Sequence, residues 1–366
     1  MHKDTKYLLA LRQYHGIGDV NARKLVSHYG SGQKVFEEIQ KSPKKAEEIW
    51  SKRIVNILLD EPNWSLVNDE ITFMNKNEVE VISILEDRYP RRLRFCSDAP
   101  LVLFSRGNID YNHPKILAVV GTRNATPHGK EITRKIITEL VDQDVLIISG
   151  LAFGIDIKAH QTALDNKLTT VAVLAHGLDR IYPPEHRREA TEMERNGAVL
   201  TEFQSGCRPD RENFPKRNRI VAGMADAILV VESQRTGGSM ITANLGFDYG
   251  RDVFAIPGRP GDQQSEGCNF LIRQNKASLV ESALDIKFLM NWKDDPKPKE
   301  IQKQLFVELT STEESLVEVL KDSGKLAMDE LCLTAGISVS QASVPLLNLE
   351  LNGLIRTLPG KVIELA

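Results

Sequence analysis

The hydrophobic positions of this chain change their spacing several times. From Lys6 to about Lys76 they recur at helical intervals, with short breaks at Gly16, Gly18, Gly30 and Gly32. From Val79 to Asn112 the spacing tightens into small β-prone runs punctuated by Pro90 and Pro100, which predicts an edge lead-in to a sheet. Six apolar runs then alternate with helix-period segments, at 116–120, 145–149, 170–175, 198–203, 227–232 and 252–256. Strands that alternate with helices pair in parallel, because each crossover helix returns the chain to the same end of the sheet. Residues 291–304 are charged, proline-bearing and without apolar period, and read as a linker. Beyond them, three helix patterns and two short apolar segments around Pro359-Gly360 have the order of a winged helix-turn-helix. The predicted fold class is α/β. A doubly wound, parallel Rossmann-like sheet spans 77–290, preceded by a small helical domain over 1–76 and followed by a winged-helix-like domain over 305–366.

Residues 115–160 organise the central domain. An apolar run ends at Gly121, a helix pattern follows through Ile132, Ile136, Ile137 and Leu140, and a second apolar run ends at Gly150. This is a strand, a glycine turn, a helix and a parallel strand. The turns GTRNATPHG and SGLAFGID therefore lie side by side at the carboxyl edge, where helix N-termini offer free N–H groups to anions. No G-x-G-x-x-G follows Val120, and Ser149 stands where a ribose-binding acid belongs, so NAD and FAD have no support. No G-x-x-x-x-G-K-[ST] run is present either, which leaves P-loop nucleotide binding unsupported. What remains is an anion site with Arg123 at its mouth.

Composition narrows the picture. The chain has 366 residues, 41% hydrophobic and 27% charged, as in ordinary globular proteins. A net charge of -3 argues against a general coater of nucleic acid, so any such site must be a local patch. No apolar run approaches a membrane span and the N-terminus lacks a secretory pattern, so a cytoplasmic protein is expected. Cys96, Cys207, Cys268 and Cys332 show no C-x-x-C spacing, which points to reduced thiols and to neither zinc nor a disulfide framework.

Three further stretches bear on binding. EFQSGCRPDRENFPKRNRIVAG is the most basic part of the sheet domain, with Arg208, Arg211, Lys216, Arg217 and Arg219 against Asp210 and Glu212. Phe203 and Phe214 within it are either base-stacking faces or core. Arg217 and Arg219 are either phosphate contacts or buried partners of sheet-edge carboxylates. SQRTGGSMITANLG sets Gly237, Gly238, Ser239 and Thr242 at another helix start, a second anion-ready turn. In the N-terminal domain, HGIGDVNARKLVSHYG places a Gly-Ile-Gly turn before a helix with Ala22, Leu25 and Val26 inward. It resembles a helix-hairpin-helix motif, with a plain helix connection as the alternative. The candidate recognition helix of the tail, residues 338–352, has no Lys or Arg and one acid, Glu350, and residues 304–366 hold nine acids and four bases. Phosphate neutralisation fails there, so a protein-binding or oligomerisation role fits the tail better.

GTRNATPHG, SGLAFGIDIKAH, GLDRIYP, LTEF, FPKRNRIVAG, TGGSMITA, RDVFAIPG and NFLIRQ follow one another in the order of the motifs of the DprA (Smf) DNA-processing family. The resemblance runs through most of residues 79–290. It implies a cytoplasmic, usually dimeric protein that binds single-stranded DNA and loads the RecA recombinase onto it during natural transformation, with no catalysis and no nucleotide cofactor. It also implies strand contacts by Arg123 and by the basic residue after the Tyr-Pro turn, Arg187. The chain departs from the family at Thr236-Gly237-Gly238-Ser239, usually Ser-Gly-Ser, at Phe153, commonly Lys or Arg, and at Asn275-Lys276-Ala277, normally ending Gly-Ala.

The combined expectation is a homodimeric binding protein without catalytic residues, metal or cofactor. The expected nucleic-acid contacts are Gly121, Thr122, Arg123, Gly150, Leu151, Ala152, Gly154, Arg187, Phe214, Lys216, Arg217, Asn218, Arg219, Gly237, Gly238, Ser239 and Thr242. Bases would stack on it without being read, giving little sequence preference. Two alternatives use the same fold. A nucleoside-monophosphate phosphoribohydrolase would need a carboxylate soon after the Gly-Gly turn, and none occurs before Asp248. A nucleotide-sensing module would bind free nucleotide without DNA.

Overall fold

The computed structural model describes residues 4–292, 309–352, 354–358 and 362–365. The chain divides into two compact units, Met1–Lys293 and Asp294–Ala366. The linker expected at 291–304 lies outside the described residues from 293 onward.

The first unit opens with six helices: α1 (Thr5–Leu11), α2 (Asp19–Tyr29), α3 (Gly32–Lys41), α4 (Pro43–Ile49), α5 (Lys52–Leu59) and α6 (Trp64–Lys76). Ala22, Leu25 and Val26 are buried, as their spacing on α2 predicts. Then come β1 (Glu80–Ser83), α7 (Arg91–Arg94), β2 (Val102–Gly107), β3 (Ile116–Val120), α8 (Pro127–Glu139), β4 (Leu146–Ser149), α9 (Ile155–Asp165) and β5 (Thr170–Leu174). The unit continues through α10 (Arg187–Met193), β6 (Gly197–Thr201), α11 (Asn213–Met224), β7 (Ala227–Val230), α12 (Gly238–Asp248), β8 (Asp252–Ala255), α13 (Glu266–Arg273), β9 (Ser278–Leu279) and α14 (Ala283–Leu289).

The nine strands form one sheet in the order β1-β2-β6-β5-β4-β3-β7-β8-β9. From β6 to β9 every pairing is parallel, while β1 and β2 add an antiparallel edge. All six predicted strands are present, and β9, two residues long, is an addition that no periodicity announced. The central strands are apolar throughout because both faces are covered. Along β3, Ile116, Ala118 and Val120 join the core shared with the N-terminal helices, while Leu117 and Val119 join the core of the opposite face. Winding runs one way from β3 to β6 and then restarts at β7 on the other side of β3. The crevice outside the carboxyl ends of β3 and β7 is therefore a topological switch point, where open α/β sheets take their ligands.

The second unit contains α15 (Ser311–Ser323), β10 (Lys325–Ala327), α16 (Met328–Thr334), α17 (Val339–Leu351), β11 (Ile355–Leu358) and β12 (Val362–Leu365), the strands antiparallel in the order β10-β12-β11. Capping boxes at Thr310 with Glu313 and at Ser338 with Gln341 start α15 and α17. Leu316, Leu320, Leu331, Leu349 and Ile363 form its core, while Val344, Leu347 and Leu351 of α17 are exposed. No single described helix is long and apolar enough to cross a membrane. α16 and α17 together have the composition but are bent by 106°.

A charged joint ties the helical bundle to the sheet. Arg219 of α11 donates to Glu202, just beyond β6, at 2.5 Å and to Asp19, at the start of α2, at 3.1 Å. Arg12 donates to the Glu202 carbonyl at 2.6 Å, and Arg23 to the carbonyls of Cys96 and Arg94 at 2.6 and 2.8 Å. The helix that follows the Gly-Ile-Gly turn thus has its first carboxylate engaged with protein. Burial, reinforced by the Asp19 carboxylate, pushes Glu202 up to about 7 against the pull of Arg219. A carboxyl group raised in the folded state binds its proton more tightly there than in the unfolded chain. Its contribution is therefore complete below the unfolded value and is lost as pH rises through about 7. Measured against Glu202→Gln in urea, the native chain should lose on the order of 3 kcal/mol of unfolding free energy between about pH 4.5 and pH 7. A difference that does not change with pH would contradict this account.

Candidate nucleic-acid interface

Four loops meet at the switch point. The loop after β3 is fastened to the end of β7 by Thr122 N–H donating to the Glu232 carbonyl at 2.7 Å. The Glu232 carboxylate accepts from Thr126 N–H at 2.9 Å and from its hydroxyl at 2.5 Å. Thr126 in turn caps α8. Ser149 Oγ donates to the Val119 carbonyl at 2.6 Å, joining the ends of β4 and β3. The SGLAFGID turn then packs tightly. Gly154 has a left-handed φ of 80°, and a Cβ there would run into the Thr122 and Arg123 carbonyls. Leu151 also has a positive φ, 57°, with its side chain buried.

Arg217 locks this arrangement from α11. Its guanidinium donates to the Gly150 carbonyl and, at 2.5 Å, to the Val173 carbonyl, while Nε donates to Asn218 at 3.1 Å. A Cβ on Gly150 would occupy the place of that guanidinium. Asp156 faces it, buried, and accepts from Gly150 N–H at 3.2 Å. Burial lowers Arg217 to about 10 despite Asp156, and raises Asp156 despite Arg217. The pair holds the loops in place.

The loops enclose a cavity of about 600 Å³. Of the expected contacts, Gly121, Thr122, Arg123, Gly150, Ala152, Phe214, Arg217, Asn218, Gly237, Gly238, Ser239 and Thr242 line it. The exposed Arg123 guanidinium stacks over the Phe214 ring, 5.0 Å from its centroid. Tyr182 extends this row, its ring centroid 6.5 Å from that of Phe214. The start of α12 also lines the cavity through Gly237, Gly238, Ser239 and Thr242. Its N-cap Gly237 offers no side-chain cap, the kind of helix start that can take an anion, although Met240 N–H already donates to the Gly237 carbonyl at 3.0 Å.

The remaining expected residues stand elsewhere. Leu151 is buried, Gly154 belongs to a neighbouring cleft, and Arg187 and Lys216 are exposed but do not line the cavity. Arg219 is turned into the joint with Glu202 and Asp19, the buried-partner arrangement that its sequence context left open. Residues passed over in the expectation are Arg211, Asp156, Gln234 and Ile241 on the cavity wall, together with Tyr182. Arg211 and Tyr182 carried a signal, the first in the basic stretch and the second inside GLDRIYP. Among the described residues no group of three or more His, Cys, Asp or Glu is placed to hold a metal ion.

A family model described as DNA recombination-mediator protein A matches residues 80–291, more than half of the chain, and one for the DprA winged helix domain matches 302–361. The chain belongs to the DprA (Smf) family. Among DprA and Smf relatives, Protein Smf of Synechocystis sp. is 30% identical, with 98% of both chains covered. The DNA processing protein DprA of Streptococcus pneumoniae is 42% identical over 56% of this chain and 72% of its own. The X-ray structure of DprA from Streptococcus pneumoniae superposes with a TM-score of 0.57 at 33% identity, covering 74% of this chain and 98% of the other. DNA processing protein A from Helicobacter pylori, whose structure concerns a single-stranded DNA binding mode, gives 0.54 at 27% identity over 59% of this chain and 98% of its own. The mixed α/β fold with its winged helix domain is thus that of the DprA family, whose members are DNA-processing proteins.

The two cavity arginines separate by role. Arg217→Ala strands buried carbonyls and Asp156, so it should cost roughly 3–5 kcal/mol of unfolding free energy. Arg123→Ala should stay within about 0.5 kcal/mol of the native chain. Urea denaturation checks both, and equal losses would contradict the division.

Proposed function

We propose that this chain binds single-stranded DNA across the carboxyl edge of its sheet, without doing chemistry on it, and delivers the strand to RecA in DNA recombination. The observation that carries the reading is Arg123 stacked on Phe214 in the cavity that the uncapped start of α12 also lines. It joins a cation, an aromatic face and an uncapped helix start in one cavity, the elements that hold phosphates and unstacked bases. Arg211 adds charge at the wall, and the likeness to the Helicobacter pylori protein supports the same class of ligand. Lys216 and Arg187, exposed nearby in sequence, would meet the strand beyond the cavity. A phosphoribohydrolase requires a free carboxylate beside the Gly-Gly turn. Asp156 is the acid on the cavity wall, and its engagement with Gly150 and Arg217 favours binding over hydrolysis. The hand-over to RecA, a cytoplasmic setting and a role in transformation rest on the family likeness.

The homodimer that the family likeness implies has a candidate surface. β9 is an edge strand, and beside it Leu284 and Phe288 of α14 are 70% and 84% exposed, with Leu279 and Leu289 about half exposed. An unpaired edge flanked by an apolar patch suits a self-complementary contact. Phe288→Glu should turn a dimer into a monomer in sedimentation, and an unchanged mass would remove this surface from the account. For the tail, the apolar outward face of α17 suits contact with protein better than with phosphate.

Binding is tested by titrating a fluorescent single-stranded oligonucleotide in competition with duplex and with mononucleotides. Tight binding that duplex does not displace is expected, weakened by about 1–3 kcal/mol in Arg123→Ala. With four to six phosphates neutralised, log affinity should fall with log salt at a slope of about -3 to -4. Preference for mononucleotides would favour the sensor or hydrolase alternative.

A further inference from the structure

Beside the switch-point cavity lies a second cleft of about 680 Å³, between the first turns of α8 and α9. Arg123 lines both, so it is the wall they share. Three features of the second cleft are unused by the fold. Phe153 is 44% exposed, although its neighbours Leu151 and Ile155 are fully buried. Its ring is fixed against His186, centroids 4.8 Å apart and planes at 69°. Lys130 and Lys158 are on the walls, and among the described residues neither takes part in an ion pair. Glu131, the acid on the wall, spends its ion pair on Arg134, with a 2.9 Å hydrogen bond, and acts on Lys158 only as a more distant charge. Pro127 and Gly154 bring the starts of α8 and α9 to the same cleft.

A fixed, half-exposed aromatic ring in one cleft with two lysines outside any ion pair among the described residues matches one nucleotide of an unpaired strand: the base stacks on the ring while the flanking phosphates meet the lysines. We propose that this cleft is a second station for the same single strand, with Phe153 as the stacking face, Lys130 and Lys158 as phosphate contacts, and the strand passing over Arg123 from the first cavity. The proposal rests on single-strand binding at the switch point. Continuity through Arg123 is what selects a strand over a free nucleotide, and stacking on Phe153 requires a base that is not already paired in a duplex.

The test compares oligothymidylates of about four and about eight residues, the short one matched to one cavity and the long one able to reach both. Anisotropy titrations use the full chain, Phe153→Leu, Phe153→Trp, the Lys130→Ala/Lys158→Ala pair, and Arg123→Ala. The native chain should hold the longer strand more tightly. Phe153→Leu should weaken the longer strand by about tenfold and leave the shorter unchanged, with Phe153→Trp restoring the loss. The lysine pair should reduce the salt slope for the longer strand by about 1.4, two phosphates' worth. If these variants match the native chain at both lengths while Arg123→Ala weakens both, the second station is overturned and the first stands. Equal losses at both lengths would overturn it too, because the cleft would then not be a separate station. If the native chain binds neither length, or Arg123→Ala changes nothing, the switch-point reading falls and this proposal with it.

Discussion

The arrangement of the binding edge depends on one buried cation. Arg217 reaches from α11 to the carbonyls of Gly150 and Val173, so it holds the carboxyl ends of β4 and β5 to the helix that borders the cavity. Its charge is met by Asp156, and its space exists because Gly150 has no side chain. Buried opposite charges of this kind contribute little net stability compared with an apolar equivalent, yet removing one of them is costly. Its effect is geometric. With the loops fixed, the row Tyr182, Phe214 and Arg123 is held at the cavity that the start of α12 also lines.

That geometry explains how a chain of net charge -3 can offer an anion site. The arginines of the basic stretch have separate duties. Arg217 and Arg219 are internal, one holding the loops and the other joining the helical bundle to the sheet through Glu202 and Asp19. Arg123 and Arg211 remain exposed at the cavity. Potential at the site therefore comes from a few side chains and helix termini, and the rest of the surface can be acidic. The second unit fits the same division, since α17 turns apolar residues outward and carries no cation.

The strands were legible because both faces of the sheet are covered, which turns each central strand into an unbroken apolar run ending at a glycine or polar turn. β9 was not, since Ser278 and Leu279 are too short a segment to carry a period. The cavity was legible as a set of turns at one edge, because parallel topology places them there. The roles of individual cations were not. On α11, Arg217 and Arg219 are two residues apart and so about 200° apart around the helix, which sends one under the cavity loops and the other toward Glu202. Fixing the phase requires knowing which face of α11 meets the sheet, and the mixed pattern of FPKRNRIVAG leaves that open. Tyr182 lies in the GLDRIYP motif, but its approach to Phe214 joins a loop to the start of α11, far along the sequence.

The most direct measurement is photocrosslinking of an oligothymidylate to the full chain, with the modified peptides identified by mass spectrometry. Adducts are expected on the peptides that carry Tyr182 and Phe214, suppressed in Arg123→Ala. Adducts confined to the winged helix domain, or spread over the surface without regard to Arg123, would contradict this.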